Sequence, residues 1–307
     1  MYFRHLEGGI PFRIGFPRGV AIKSDGLRVS VRSWIVSARI SCRFGAEMSI
    51  AHRVFTGFCL AMLFSTLSVA QVPFNDTDVT RLNVNESMNG WKPVCVLPSC
   101  NPGGNGIPTS TSHTIGHAHP SKDGHAMEVS ITGPEYSNAL WTYVAGADDD
   151  ATSLSTSLWV YLTDKASVAG SFEFDQFNFS KSTGIEFMWG SQCNQVTHLW
   201  QVFDQLHGHW MNTAVKCALK LNQWHHLRWD VHRVSGDTDR CSGKPCMYYD
   251  TLTVDGVVHP VNAVYPAGSL PHGWSSSVGF QVQIDIGTTG QPVTVDEYID
   301  LADFWAL

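Results

Sequence analysis

The chain has 307 residues, of which 43% are hydrophobic and only 15% charged, with 27 Gly, 11 Trp and 8 Cys. This apolar and aromatic composition excludes a disordered chain, and the low charge content excludes a coiled coil or a helical array. The formal net charge of −7 conceals a division, because residues 1–47 carry eight basic side chains and only three acidic ones. The N-terminal segment and the rest of the chain are therefore chemically different.

A secretory signal is predicted from the internal residue Met48 onward. Arg53 is followed by an apolar run over 54–67 and then by small residues ending at Ala70, which is the order of regions in a signal peptide. The apolar run is too short for a membrane span, which needs about 20 apolar residues. We predict that 48–70 is a signal peptide cut after Ala70, and that the protein is secreted to an extracellular or periplasmic space.

Residues 1–47 show neither helical nor alternating apolar spacing. We interpret them as a disordered extension produced by a start codon assigned too far upstream, with a functional basic extension as the alternative.

Removing 1–70 leaves 11 basic and 24 acidic side chains, a net charge of −13. Because such a surface repels phosphate groups and anionic lipid, we expect neither nucleic-acid nor membrane-surface partners. A neutral glycan is compatible with this charge.

Six of the eight cysteines follow the predicted cleavage site. An even number in an exported chain predicts disulfides, and spacing favours three local bridges over the 15 pairings that six cysteines allow. A zinc site is the alternative, although neither short pair has C-x-x-C spacing. The predicted bridges are Cys95–Cys100, Cys193–Cys217 and Cys241–Cys246.

The segment 71–124 is rich in Asn, Ser, Thr, Pro and Gly, so we predict an irregular segment that wraps the edge of the domain. Over 125–307 the pattern changes to ten short runs of β-branched and aromatic residues separated by turn signals. Asp255-Gly256 between two such runs is typical of a type I′ hairpin. This part of the sequence predicts an all-β domain, a two-sheet antiparallel β-sandwich.

Alternation along the predicted strands separates apolar from polar rows. In the run from Ser171 to Phe179, Phe172 and Phe174 face one way and Glu173 faces the other. We expect the apolar rows to fill the core and the polar rows to line a concave, water-facing sheet. Besides Glu173, the polar rows include Asp175, Glu186, Gln281, Gln283 and Asp285.

The C-terminal run VTVDEYIDLADFWAL resembles that of the concanavalin A-like lectin/glucanase superfamily. The stretches GIEFMWGSQCN, HLWQVFDQLHGHW and VGFQVQIDIG resemble a group of secreted bacterial proteins with that fold. This resemblance covers nearly all of 91–307 and implies a jelly roll. It does not specify an activity, because the superfamily includes lectins, glycosidases, lyases and non-catalytic modules.

The resemblance also suggests a glycosidase motif on one strand. Laminarinase-like members read E-x-D-x-E or E-x-D-x-x-E, and here Glu173 and Asp175 match the first two acids. Phe177 or Asn178 stands where the second Glu belongs. In the enzyme hypothesis Glu173 is the nucleophile, Asp175 orients it, and Glu186 on the next strand replaces the missing acid/base.

A binding hypothesis uses the same polar rows without catalysis. Exposed tryptophans stack on the C–H faces of sugars, and we select Trp189, Trp200 and Trp210 as groove candidates because they lie next to the polar rows. In this hypothesis Gln281, Gln283 and Asp285, with Glu173 and Asp175, hydrogen-bond sugar hydroxyls.

The sequence favours a secreted protein that binds a polysaccharide on its concave sheet. A retaining, glucanase-like glycoside hydrolase is the first alternative, and a structural or adhesive extracellular module is the second. No metal or cofactor is expected, apart from calcium as a candidate at the turn Asp148-Asp149-Asp150. The sequence leaves the glycan, its linkage and the oligomeric state open.

Overall fold

The computed structural model describes residues 80–85, 87–94, 106–236 and 239–307. The predicted extension 1–47, the signal peptide and the Cys95–Cys100 bridge lie outside the described residues. None of the described residues belongs to a helix long and apolar enough to cross a membrane.

Two antiparallel sheets contain nearly all of the regular structure of the described residues. Sheet A consists of β1 (Thr80–Asn85), β3 (Ser110–His117), β4 (Ala126–Gly133), β6 (Ser153–Leu162), β12 (Trp224–Val234), β13 (Cys246–Val254), β14 (Val257–Pro266) and β17 (Val293–Ala306). Its strand order is β14-β13-β12-β6-β17-β4-β3, and β1 pairs with the C-terminal part of β17.

Sheet B consists of β2 (Lys92–Pro93), β5 (Asn138–Gly146), β7 (Ala169–Ser180), β8 (Ile185–Trp189), β9 (Ser191–Asn194), β10 (Leu199–Asp204), β11 (His209–Lys216), β15 (Gly268–Ser269) and β16 (Ser277–Ile286). Its strand order is β11-β10-β9-β7-β16-β5-β2, and β8 pairs with β7 and β15. A single 3-10 turn, Asp164–Val168, joins β6 to β7.

The sheets pack face to face through aromatic side chains. Phe174 of sheet B stacks on Trp229 of sheet A with ring centroids 5.1 Å apart, and the Tyr249 hydroxyl donates to the Phe203 carbonyl at 2.9 Å. The interior also holds Gln176, whose Oε1 accepts from the Thr156 hydroxyl at 2.9 Å. The predicted two-sheet antiparallel β-sandwich is confirmed.

The segment 71–124 is more regular than predicted, since it contributes β1, β2 and β3. Each of these strands lies at a sheet edge or pairs with only one neighbour, and β3 has mostly exposed side chains. An edge strand needs no apolar face, so the Ser- and Thr-rich run of β3 lacks the apolar alternation that identified the central strands.

The hairpin predicted at Asp255-Gly256 joins β13 to β14. Both residues have positive φ, 50° at Asp255 and 81° at Gly256, as a type I′ turn requires. The Asp255 carboxylate also accepts from the backbone N–H of His226, which ties the turn to β12.

Two of the predicted disulfides lie within the described residues, and both are present. Cys193–Cys217 joins β9 to the end of β11 across 24 residues, and Cys241–Cys246 closes a loop before β13. Cys193 and Cys217 are both buried in the main core. The zinc alternative is not supported for these four cysteines.

Removing the Cys193–Cys217 bridge should destabilise the protein more than removing Cys241–Cys246. A disulfide contributes about 2–4 kcal/mol, and the contribution grows with the length of the loop it closes. We expect the double variant Cys193→Ala/Cys217→Ala to show the larger loss in a denaturant titration of the free energy of unfolding. Equal losses for the two double variants would contradict this order.

Glu297 is a buried carboxyl on the inner side of β17. Its side chain is fully buried, and neither carboxyl oxygen has a hydrogen-bond partner among the described residues. Burial, with a smaller effect from the charge of Asp296, raises the pKa of Glu297 well above its ordinary value. Burial therefore favours the protonated form of this carboxyl in the folded protein.

Glu297→Leu should stabilise the protein, and more at pH 8 than at pH 4.5. Because the folded-state pKa is raised, wild-type stability falls as the pH rises above the unfolded value of about 4.3. A buried polar group without a partner also costs about 1–3 kcal/mol. Thermal unfolding at both pH values measures the effect, with Glu128→Leu on the outer side of sheet A as the control. A variant less stable than wild type at both pH values would contradict this account.

Candidate functional site

The candidate site lies on the outer face of sheet B, which we define as the side facing away from sheet A. Phe172 and Phe174 of β7 point into the core. Successive residues of a strand face opposite sides, so Glu173, which lies between them, and Asp175, which follows Phe174, point outward. The alternation predicted for this strand is therefore confirmed.

Strand register brings the predicted polar residues together on this face. Glu173 lies opposite Gln283 of β16 on one side and Gln192 of β9 on the other, and Asp175 lies opposite Gln281. Because side chains directly opposite on neighbouring strands are close, these residues form one polar band across three strands.

The band is more buried than predicted, which corrects the expectation of a water-facing row. Glu173, Asp175, Gln281 and Gln283 are each 5% exposed or less. Asp285, in contrast, is partly exposed. Gln281 and Asp175 hydrogen-bond each other, as do Gln283 and Asp285, so the polarity of these side chains does not identify a solvated surface.

Asp175 is held by two hydrogen bonds. One oxygen accepts from Gln281 Nε2 at 2.8 Å and the other from the Ser191 backbone N–H at 3.1 Å. Burial raises the pKa of Asp175 to about 6, although both hydrogen bonds act in the opposite direction. A methyl group at Gly190 would lie 3.3 Å from the Trp210 ring and 3.4 Å from the Asp175 carboxyl, so the indole lies close to this acid.

Glu173 lies beside Asp285 in the band. Burial first, and then the charge of Asp285, raise the pKa of Glu173 well above its ordinary value. Asp285 in turn accepts from Ser171 Oγ at 2.7 Å and from Gln283 Nε2 at 3.1 Å. Glu173 Oε2 has no hydrogen-bond partner among the described residues, so part of this carboxyl is buried without compensation.

An amide network extends the band toward β11. Gln192 Nε2 and Asn194 Nδ2 both donate to Gln201 Oε1, and Gln201 Nε2 donates to Asn212 Oδ1 at 2.6 Å. The sequence analysis did not single out these residues. Their signal is present in the sequence, however, since Gln192, Asn194 and Gln201 alternate with core residues as Glu173 does.

A pocket of about 200 Å³ opens on the same face, beyond the other end of the band. Its lining is mostly apolar, and its polar members include Glu186, Gln205 and Gln281. The apolar members that form most of its wall are Leu140, Val144, Phe177, Phe179, Met188 and Trp274.

Glu186 is the acidic residue of this pocket. Gln205 hydrogen-bonds its carboxyl, and burial raises the pKa of Glu186 to about 7 despite that bond. Gln205 is itself positioned by the Gly268 backbone N–H, which donates to its Oε1 at 3.2 Å. The pocket therefore contains a carboxyl group that titrates near neutral pH.

The register corrects the hypothesis that Glu173 and Glu186 form a catalytic pair. Glu186 lies opposite Phe179, six residues along β7 from Glu173, a separation of about 20 Å at 3.3 Å per residue. Glycosidase carboxyl groups lie about 5–5.5 Å apart in retaining enzymes and 6.5–9.5 Å apart in inverting ones. The predicted pair therefore fits neither geometry.

Two of the three selected tryptophans lie in the core, so they cannot line a groove. Trp189 and Trp200 are 2% and 1% exposed, and Trp200 packs against Phe174 and Trp229 between the sheets. Trp210 lies on the outer face against Phe203, as its selection required.

Trp274 is the exposed tryptophan of the pocket, and the sequence analysis did not select it. Its ring is 40% exposed and packs on Phe179 with centroids 5.0 Å apart. It lies in the loop between β15 and β16, where no strand alternation predicts which way a side chain faces.

The acidic turn considered for calcium has other contacts. Asp148 Oδ1 accepts from the backbone N–H groups of Asp150 and Ala151, and Asp149 Oδ2 accepts from that of Ser182. Within the described ranges, no group of three His, Cys, Asp or Glu side chains has a metal-binding arrangement. The turn is explained by its backbone hydrogen bonds.

No protein-family model matches the chain, and no curated protein sequence matches it. Solved structures do match, at low similarity. One match is a structure of carbohydrate-binding modules of the β-sandwich superfamily. The alignment covers 72% of this chain and 58% of the matched chain, with 11% identity and a TM-score of 0.34. The chain thus spans little more than half of that protein.

Two further matches have similar scores. An alginate lyase from Chlorella virus matches 66% of this chain and 93% of its own, with 10% identity and a TM-score of 0.37. The alignment with a carbohydrate-binding module from Bacillus subtilis covers 70% of this chain and 94% of the module, with 11% identity and a TM-score of 0.32. At these scores the site must be interpreted from its own residues.

Core and pocket tryptophans should respond differently to truncation. Trp200→Ala should lower the free energy of unfolding by about 3–5 kcal/mol, as removal of a buried aromatic does. Trp274→Ala should lower it by clearly less, because 40% of Trp274 is already exposed to water whereas only 1% of Trp200 is. Chemical denaturation of the two variants tests the assignment, and similar losses would contradict it.

Proposed function

We propose that the protein is an exported, non-catalytic domain that binds a neutral polysaccharide on the outer face of sheet B. The observation that carries this proposal is the pocket beside the polar band, where Trp274 and Phe179 adjoin Glu186 and Gln281. Aromatic faces next to a few polar side chains suit sugars, whose rings have apolar C–H faces and hydroxyl edges.

The exposed ring of Trp274 supplies the stacking surface in this proposal. Phe179 packs against it at a tilted angle, and 40% of Trp274 remains exposed. Gln281 donates its amide to Asp175, which leaves its Oε1 to accept from a sugar hydroxyl. Binding would therefore need little rearrangement of these side chains.

The charge and the cysteines support an extracellular, uncharged ligand. Two disulfides among the described residues favour an oxidising compartment. The acidic surplus that follows removal of the predicted signal peptide disfavours a polyanionic glycan. Binding without hydrolysis is favoured because Glu173 and Glu186, the predicted catalytic pair, are separated by about 20 Å along β7.

Trp274→Ala should weaken polysaccharide binding about tenfold. Burial of an aromatic side chain contributes roughly 1.5–3 kcal/mol, and 1.4 kcal/mol corresponds to a tenfold change in Kd. Neutral polysaccharides would be titrated against the purified full chain by calorimetry, with a reducing-sugar assay in parallel.

Trp159→Ala is the control, because Trp159 packs against His226 on the outer side of sheet A. This variant should bind the polysaccharide with the wild-type Kd. Failure to bind any neutral polysaccharide would favour the structural or adhesive alternative. Release of reducing sugar would contradict a non-catalytic role.

A further inference from the structure

The pocket of sheet B contains more apolar surface than a simple hexose requires. Phe177 and Phe179 stack with ring centroids 4.7 Å apart, and Met188 joins them in a small cluster separate from the main core. Trp274 packs on Phe179 at one side. Three apolar side chains thus form a continuous wall beneath the tryptophan.

This wall disfavours a sugar that has only hydroxyl substituents. A hexose places one apolar C–H face on an aromatic ring, and its edges carry hydroxyl groups. A hydroxyl directed at Phe177 and Met188 would lose water without gaining a partner, which costs free energy. A sugar with an apolar substituent would instead bury that substituent favourably.

Glu186 gives the second requirement for the ligand. Its carboxyl is fixed by Gln205 and lines the pocket together with Met188. With one side held by the Gln205 amide, the carboxyl can accept a further N–H or O–H donor from a ligand. A substituent that places a donor beside a methyl group would satisfy both the carboxyl and the apolar wall.

We propose that this pocket selects a sugar residue that carries an acetamido group. Glu186 accepts the amide N–H, while Phe177, Phe179 and Met188 contact the methyl group, and Trp274 stacks on the sugar ring. A 6-deoxy sugar also has a methyl group, but the donor nearest to it is the C4 hydroxyl on the ring and not an N–H that lies in one plane with the methyl group. The inference rests on the proposed function and adds the class of sugar.

The test compares oligosaccharides that differ only in the acetamido group. β-1,4-linked N-acetylglucosamine tetramers and β-1,4-linked glucose tetramers would be titrated separately against the full chain. At about pH 8.5, where Glu186 with its pKa of about 7 is ionised, we expect the N-acetylated tetramer to bind at least about tenfold more tightly, because a hydrogen bond to a charged group is worth roughly 1.5–3 kcal/mol.

Substitutions of Glu186 separate recognition from general binding. Glu186→Ala should reduce the preference for the N-acetylated tetramer to about twofold or less, since one lost hydrogen bond removes most of it. Glu186→Gln keeps an acceptor and should retain part of the preference. Glu128→Gln makes the same chemical change on the outer side of sheet A and should leave both affinities unchanged.

The possible failures are distinguishable. Equal or tighter binding of the glucose tetramer, or an unchanged preference in Glu186→Ala, would overturn the acetamido inference while the proposed function stands. If neither tetramer binds but another neutral glycan without an acetamido group does, the acetamido inference is also overturned and the proposed function stands. If no neutral glycan binds at all, the proposed function fails and the inference fails with it.

Discussion

The stacking of Phe174 on Trp229 joins the two sheets at the centre of the sandwich. Trp200 and Phe280 pack against the same indole, so four aromatic rings from the two sheets meet there. Since successive residues of a strand face opposite sides, burying Phe174 directs Glu173 and its neighbours to the outer face of sheet B. The position of the polar band is thus a consequence of core packing.

The outer face of sheet B has two parts that differ in chemistry. In the polar band, carboxyl and amide groups are buried and several of them hydrogen-bond one another, as Gln281 does with Asp175 and Gln283 with Asp285. Beyond the band, aromatic side chains replace polar ones and a pocket opens. Gln281 belongs to both parts, since it also lines the pocket. In the proposed function the pocket, with Gln281 at its edge, meets the ligand, while burial gives the rest of the band a fixed geometry.

The spacing of Glu173 and Glu186 does not fit hydrolysis by this pair. Glycosidases place two carboxyl groups on either side of one glycosidic bond, whereas Glu173 and Glu186 are separated by six residues along β7. Glu186 lines a mostly apolar pocket instead. We propose that this carboxyl, beside a methyl-sized apolar surface, recognises an amide.

The sequence by itself determined the fold class, most of the central strands, the Asp255-Gly256 turn and two of the disulfides, because these follow from local periodicity and spacing. It also placed Glu173, Asp175, Gln281 and Gln283 on one face, since alternation is a property of each strand. Only the tertiary structure decided which polar residues are covered and which tryptophans are exposed. Trp200 and Trp274 look alike in sequence, but the first is packed by the opposite sheet and the second lies on a loop. Their difference arises from contacts between segments distant in the chain, which no local pattern records.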